Sequence, residues 1–123
     1  VGDFDDAFTL ALLANKAVDA INVIPAQAGG LRRAMRLLQL AQAAGMPALL
    51  GSTVELGIGT AAALHVAAAA TAVTWASDLV GPGLLTADVV EPAIRYESGG
   101  LALPPGAGLG VCLSASAMER WQA

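Results

Sequence analysis

Short apolar runs alternate with longer segments of helical periodicity over the first half of the chain. Residues 20–24 and 46–52 are strand-length runs with mostly apolar side chains on both alternating faces, a pattern typical of parallel strands covered on both sides. Between them, residues 31–44 predict a helix, and Gly45 follows where a left-handed residue often ends one. The apolar face of this helix comprises Leu31, Ala34, Leu38 and Ala41. We therefore predict a βαβ unit with parallel strands and a right-handed connection.

Similar patterns continue on both sides of this unit. Residues 1–19 predict a helix, residues 60–72 an alanine-rich helix, and residues 74–77 a further short strand. The expected buried face of the first helix comprises Phe8, Leu12 and Leu13. An alternation of helices and strands of this kind indicates an α/β fold.

The character of the chain changes after residue 78. Four of the six prolines lie in this part. Strand-like pieces at residues 93–97 and 101–103 flank Ser98-Gly99-Gly100, which predicts a hairpin. Near the end, Ser116 and Glu119 fit the S-x-x-E pattern of a capping box that starts a last short helix.

Composition limits the classes of partner. The chain has 123 residues, 56% of them hydrophobic and 13% charged, with a net charge of −4, which fits one globular domain rather than a disordered segment. The net charge is negative and basic residues are scarce, with Lys16 the only lysine, so no basic stripe could follow a phosphate backbone, and we expect no nucleic-acid partner. Cys112 is the only cysteine. We expect it to be a small apolar filler in a reducing cytoplasm.

Two features bear on targeting. Residues 56–73 carry no charge and approach the length of a membrane span. They are rich in alanine, begin with glycines after Leu56 and lack cationic anchors, so we predict a helix buried inside the protein and no membrane association. The chain begins at Val1 without a signal-like basic region. We expect no secretory signal and infer that residues have been lost upstream.

Three acidic residues near the start, Asp3, Asp5 and Asp6, have two interpretations. Carboxylates in the first turn of a helix interact favourably with the positive end of its dipole. A cation site would need further oxygen ligands, for which the sequence has no pattern. We favour helix capping.

A glycine motif suggests nucleotide binding at first sight. Gly57-Ile58-Gly59 begins a G-x-G-x-x-A pattern between a predicted strand and a predicted helix, and Asp78 follows 21 residues after Gly57. However, four residues separate strand and glycines, Glu55 would bring negative charge towards a pyrophosphate, and Asp78 follows the wrong strand. We disfavour a dinucleotide site.

Glu55 is the most informative single residue. It is an isolated acid between apolar runs, in a loop after a strand, where open sheets and barrels place their sites. This position makes it a candidate for a raised pKa and proton handling. For His65 we favour a locally hydrogen-bonded residue on a helix face over catalysis. Trp75 and Trp121 are expected to pack in the core.

Five motifs together resemble a known family. They are A-G-G-L at 28–31, A-G-M-P at 44–47, G-S-T-V-E-L-G-I-G-T-A-A-A-L-H at 51–65, S-D-L-V-G-P at 77–82 and G-A-G-L-G-V at 106–111. Their order and spacing resemble the C-terminal part of the muconate lactonizing enzyme (muconate cycloisomerase) and mandelate racemase family of the enolase superfamily. The resemblance covers essentially the whole chain.

The resemblance implies the last third of a (β/α)8 barrel, with about three βα units. Residues 20–24, 46–52 and 74–77 would be strands six, seven and eight. Residues 1–78 would form this part of the barrel. Residues 79–123 would form a tail, with its hairpin, that packs on the barrel and returns to the family's N-terminal capping domain.

The resemblance also implies a chemistry. The family removes a proton α to a carboxylate of a small substrate and holds the enediolate on Mg2+, giving cycloisomerisation, dehydration or racemisation. Its metal carboxylates and its K-x-K lysines map upstream of Val1, so no metal ligand carries over to this chain. Glu55 matches the family's acid after strand seven and would be an auxiliary catalytic acid. The positions that line the pocket mouth are matched by Ser52, Thr53, Ser77 and Asp78.

One departure from the family pattern limits the reaction type. Ile24 stands at the position of the family's lysine on strand six, and isoleucine can neither move a proton nor stabilise charge. A two-base racemase is therefore disfavoured, whereas a cycloisomerase or a syn-dehydratase could use one base on strand two.

We predict a fragment of a muconate cycloisomerase-like enzyme that is inactive alone. Three strands cannot close a barrel, and their open edges and inner face favour association. One alternative is a non-catalytic half of a split protein that needs an N-terminal partner chain or oligomerises. A less favoured alternative is a nucleotide-binding α/β module.

Overall fold

A parallel strand pair backed by helices forms the first half of the structure. The computed structural model describes residues 6–120. In this half the elements are α1 (Asp6–Ala14), β1 (Ile21–Val23), α2 (Leu31–Ala43), β2 (Ala48–Leu50) and α3 (Gly57–Ala69). Strands β1 and β2 pair in parallel, with Asn22 opposite Leu49. The predicted βαβ unit is thereby confirmed, with strands shorter than the apolar runs that encode them.

The two faces of this strand pair differ in burial. Val23 and Leu50 are 0% exposed and lie in the main hydrophobic cluster together with α2 and α3. On the opposite face Asn22 is exposed and Leu49 is partly buried. The prediction that both faces are covered is therefore wrong for the described residues, because helices pack on one side only.

Helix α2 buries a slightly different stripe from the predicted one. Ala34, Leu38 and Ala41 are buried as expected, and Leu37 joins them. Leu31, the first residue of the helix, is 40% exposed. Gly45 has a φ of 64°, and Met46 N–H donates to the Ala41 carbonyl at 2.8 Å, which confirms the predicted left-handed stop.

The third predicted strand is reduced to a single parallel bridge between Ala48 and Val73. The Ser77 hydroxyl replaces a backbone partner, since it accepts from Leu50 N–H at 3.1 Å. Asp78 N–H then donates to the Leu50 carbonyl at 2.7 Å. The predicted strand at residues 74–77 is therefore wrong as regular structure, although this segment runs beside β2. Trp75 is 53% exposed, which contradicts its expected core position.

The remainder of the described chain consists of short elements. They are α4 (Gly81–Leu84), β3 (Val90–Glu91), β4 (Tyr96–Glu97), β5 (Gly100–Leu101), β6 (Cys112–Leu113) and α5 (Ala115–Arg120). Strands β4 and β5 form the predicted hairpin, and the positive φ of both Ser98 and Gly99 suits its tight turn. Strands β3 and β6 pair antiparallel. Cys112 is exposed, so the expectation of an apolar filler is wrong.

The last helix begins before the predicted capping box. Ser114 is buried, and its hydroxyl accepts from Ala117 N–H at 3.4 Å and donates to Glu91 at 2.7 Å. Ser114 therefore caps α5, and Ser116 lies inside the helix. The assignment of the cap to Ser116 and Glu119 is wrong because the β6 strand ends one residue before Ser114 and fixes the start of the helix there.

The first helix buries Thr9 and Leu13, whereas Phe8 is 43% exposed, so the buried face is rotated from the expected one. Asp6 lies in its first turn and pairs with Arg36 at 3.0 Å. Asp3, Asp5 and Trp121 lie outside the described residues. None of the helices between residues 6 and 120 has the length and apolar character needed to span a bilayer.

Candidate functional site

The loop between β2 and α3 folds around the carboxylate of Glu55. The Ser52 hydroxyl donates a short hydrogen bond to Glu55 Oε2. Thr53 donates to Glu55 Oε1 twice, from its backbone N–H at 3.0 Å and from its hydroxyl at 2.8 Å. The sequence-predicted residues Ser52, Thr53 and Glu55 are thus brought together, and both carboxylate oxygens have donors.

These donors determine the charge of Glu55. Partial burial raises the pKa of its carboxyl group, but the hydrogen bonds from Ser52 and from the backbone and side chain of Thr53 lower it, and the net pKa lies below its ordinary value. The raised pKa expected from the sequence is therefore wrong in direction. Glu55 is ionised at neutral pH, and it acts as a fixed negative charge and hydrogen-bond acceptor.

The same loop contains an unusual backbone conformation. Val54 has a φ of 64°, which is rare for a β-branched residue. Its N–H donates to the Ser52 hydroxyl at 2.9 Å, so that this hydroxyl both accepts from Val54 and donates to Glu55. The strained turn is what folds the Glu55 side chain back onto Ser52 and Thr53.

Helix α3 begins at Gly57, three residues before the predicted start. The Asp88 carboxylate accepts from Gly57 N–H at 2.9 Å and from Val89 N–H at 2.7 Å. Gly59 N–H and Thr60 N–H both donate to the Leu56 carbonyl. A pyrophosphate on this motif would need those amides and would meet the Asp88 carboxylate. The arrangement disfavours the dinucleotide interpretation of the glycines.

Asp88 is the residue at this site that sequence reasoning missed. It reaches the start of α3 from a segment 31 positions further along the chain. Its sequence signal is weak, since it is an acid in a mostly apolar stretch with Glu91 three residues further on. Packing of the tail on the first part of the chain was predicted, but the contact of Asp88 with the start of α3 was not.

Ile24 lies beside the site on the open face of the strand pair. It follows β1 directly and is partly buried. A Cβ atom on Gly51 would lie 2.9 Å from Ile24 Cγ1 and 2.6 Å from Asn22 Oδ1, so glycine at position 51 allows both side chains to approach the end of β2. Ile24 provides an apolar wall there and no proton-transfer group.

Ser77 and Asp78 flank β2 near the start of residues 51–56, the loop that carries Glu55 and that we call the Glu55 loop. Ser77 accepts from Leu50 N–H with its hydroxyl, and Asp78 donates its backbone N–H to the Leu50 carbonyl. Leu50 lies two residues before Ser52. The two pairs of predicted pocket residues therefore lie at neighbouring strand ends, although the Ser77 hydroxyl has a structural partner. The Asp78 side chain is exposed.

His65 is the remaining candidate residue predicted from the sequence. His65 Nε2 is buried and has no hydrogen-bond partner among residues 6–120, so the predicted local hydrogen bond is not made through this atom. Within the same residues, no three His, Cys, Asp or Glu side chains are placed to hold a metal ion. The donors around Glu55 are hydroxyl and amide groups, which suit a carboxylate and not a cation.

Comparison with known proteins identifies the family. The family described as enolase C-terminal domain-like matches residues 7–117. The chain belongs to this family. Muconate cycloisomerase 1 of Rhodococcus opacus is 35% identical to it over 105 residues, which are 85% of this chain and 28% of that protein.

Solved structures of the enolase superfamily agree with this assignment. The 2-chloromuconate cycloisomerase from Rhodococcus opacus 1CP superposes with a TM-score of 0.85 at 28% identity, over 94% of this chain and 31% of that one. The L-Ala-D/L-Glu epimerase from Bacillus subtilis has a TM-score of 0.79 at 31% identity, over 87% of this chain and 30% of that one. The chain thus spans about a third of the length of these relatives and is a partial α/β region of their fold.

Proposed function

We propose that this chain forms the part of a muconate cycloisomerase-type enzyme that holds an auxiliary acid, Glu55, at the mouth of the substrate pocket. The observation that supports this most strongly is the fixed, ionised Glu55 carboxylate after β2, at the position that the family resemblance assigns to an acid. Ser52 and Thr53 hold the carboxylate, and the exposed Asp78 side chain lies at the adjacent strand end.

The chemical role of Glu55 follows from its charge. A carboxylate with a lowered pKa is a poor general acid at neutral pH, because it carries no proton to give. An anion would also disfavour an enediolate in direct contact with it. We therefore assign Glu55 the role of orienting a proton donor or a cationic group that itself contacts the substrate.

Mg2+ does not fit the described residues. The family resemblance implies this ion as the group that stabilises the enediolate, yet residues 6–120 hold no cluster of three candidate ligands and the Glu55 oxygens already have donors. Metal ligands and the base that removes the α-proton would have to come from another part of the protein. We propose that this chain alone does not turn over substrate.

The open face of the strand pair supports dependence on a further part of the protein. Asn22 is exposed there, Leu49 is partly buried, and among residues 6–120 no strand pairs with the outer edge of β1. An N-terminal part or a partner chain would cover this face in a closed barrel. We propose that residues 1–78 form the barrel part and residues 79–123 the tail that contacts a capping domain.

Ile24 limits the type of reaction that we propose within the family. The apolar wall that it provides leaves no base on this strand, so we propose a one-base reaction, a cycloisomerisation or a syn-dehydration of a small carboxylate, over racemisation. One of the relatives is an epimerase, so an assay must distinguish a one-base reaction from racemisation.

A chimaera tests the proposal. This chain replaces the matching C-terminal segment of Rhodococcus opacus muconate cycloisomerase 1, and muconate lactonisation is followed with Mg2+ present. We expect turnover from the folded chimaera, none from the chain alone, and a fall in kcat of about tenfold or more on Glu55→Gln. Glu97→Gln, on the exposed hairpin, is the matched control. A folded chimaera without turnover, or activity of the chain alone, would contradict the proposal.

A further inference from the structure

The segment 79–91 folds back over the Glu55 loop, and we call it the strap. It contains α4 and the first strand of the tail, β3. It reaches the loop at two points, at the backbone of Glu55 and at the first residue of α3. Both contacts are made by residues far from Glu55 in sequence.

The first contact is between Gly81 and the Glu55 backbone. A Cβ atom on Gly81 would overlap the Glu55 carbonyl oxygen and would lie 3.1 Å from Glu55 N. Gly81 is buried. Tyr96 of the β4–β5 hairpin contacts the strap at two points. Its hydroxyl donates to the Leu79 carbonyl, and a Cβ atom on Gly83 would lie 2.9 Å from its ring.

The second contact is the cap on α3. Asp88 Oδ1 accepts from Gly57 N–H and from Val89 N–H. A Cβ on Gly57 would lie 2.5 Å from Asp88 Oδ2, so only glycine lets the carboxylate come this close to the helix start. A carboxylate at this position also interacts favourably with the helix dipole. Gly57 follows Glu55 by two residues, so the cap fixes the end of the loop that carries Glu55.

We propose that Asp88 is a positioning residue for Glu55, which it holds in place by capping Gly57 from the strap. This inference rests on the role proposed above for Glu55. Its mechanism is geometric. The charge of Asp88 would act in the opposite sense, since a nearby anion makes it harder to ionise Glu55. Geometry and charge therefore predict opposite effects of removing the carboxylate.

The test is the pKa of Glu55, read from the side-chain carboxyl carbon by NMR titration of the 123-residue chain and assigned through Glu55→Gln. In Asp88→Ala we expect this pKa to rise towards its ordinary value, because the loop no longer presents its donors to the carboxylate. In Asp88→Asn, which keeps an acceptor for Gly57 N–H and removes the charge, we expect it to stay lowered. An unchanged pKa in folded Asp88→Ala, or an equal rise in both variants, would overturn the inference.

Asp88→Ser decides the outcome if the alanine variant does not fold. Its hydroxyl is too short to keep the hydrogen bond from Gly57 N–H, and the Gly57 amide chemical shift reports whether that bond is broken. A polar group nevertheless remains at the position. If the bond is broken and the Glu55 pKa still equals that of the wild type, the inference is overturned. The titration needs no turnover, so its outcome is independent of whether the chimaera is active.

Discussion

The two faces of the β1–β2 pair differ clearly in burial. One face is packed by α2 and α3, and Val23 and Leu50 on it are fully buried. The other presents Asn22 and Leu49 and leads to Ile24 and the Glu55 loop. The chain therefore packs one face of the strand pair with its own helices, which stabilises the fold, while the residues that we associate with function follow the ends of the two strands.

The largest expected effect is a loss of stability when packing is removed from the face covered by α2 and α3. Leu50→Ala removes a fully buried side chain and should lower the free energy of unfolding by about 3 kcal/mol, because apolar burial is reduced and a cavity remains. Leu49→Ala, on the open face, is the matched control and should cost about 1 kcal/mol or less, because its side chain is only partly buried. Urea unfolding of both variants measures the contrast. Equal losses would show that the two faces are equally packed.

A smaller effect on stability is expected from the Glu55 carboxylate in the loop after β2. Because the pKa of Glu55 is lower in the folded state than in the unfolded chain, its ionisation stabilises the fold above the unfolded-state pKa. That contribution is lost as the pH falls through the folded-state pKa. We expect the stability difference between wild type and Glu55→Gln to be greatest near neutral pH and to shrink in acid.

Urea unfolding at a series of pH values measures this difference. Glu97→Gln is the control, because it removes one carboxylate from the exposed strand β4. A difference that does not change between neutral and acid pH would show that Glu55 gains nothing from its donors in the folded state.

The smallest expected effect is a gain in stability when the backbone strain at Val54, next to Glu55, is relieved. Val54→Gly should stabilise the chain by about 0.5–1 kcal/mol, because glycine adopts a φ of 64° without the steric cost that valine bears. Val54→Ala keeps a Cβ atom and should give a smaller gain. Thermal unfolding compares the variants. A loss of stability in Val54→Gly would mean that the valine side chain contributes more by packing than its backbone costs.

The fold was predictable where local signals agreed. Most of the helical stripe of α2, the glycine stop at Gly45 and the hairpin turn at Ser98-Gly99 appear in the structure, because each depends on periodicity or on a backbone conformation that few residues adopt. The third strand was not predictable, since the Ser77 hydroxyl takes the place of a backbone acceptor for Leu50. Nothing in the apolar pattern reports that substitution.

Ser52, Thr53 and Glu55 were predicted as neighbours at the site, whereas Asp88 was missed and the predicted direction of the Glu55 pKa was wrong. The positions of Ser52, Thr53 and Glu55 follow from the resemblance, but the direction of the Glu55 pKa depends on which donors reach its oxygens. Burial and hydrogen bonding act in opposite directions on a carboxylate. Here the hydrogen bonds from Ser52 and Thr53 outweigh burial, and only the folded geometry of the loop brings these donors to the carboxylate.

The sequence by itself determined the family and the α/β order, because these depend on residue types and their spacing. Tertiary structure alone decided which face is buried, that Glu55 is held ionised, and that Asp88 caps the helix beside it. The physical reason is that each of these depends on contacts between segments distant along the chain or on the exact geometry of one turn. Such features leave no periodic trace in the sequence that encodes them.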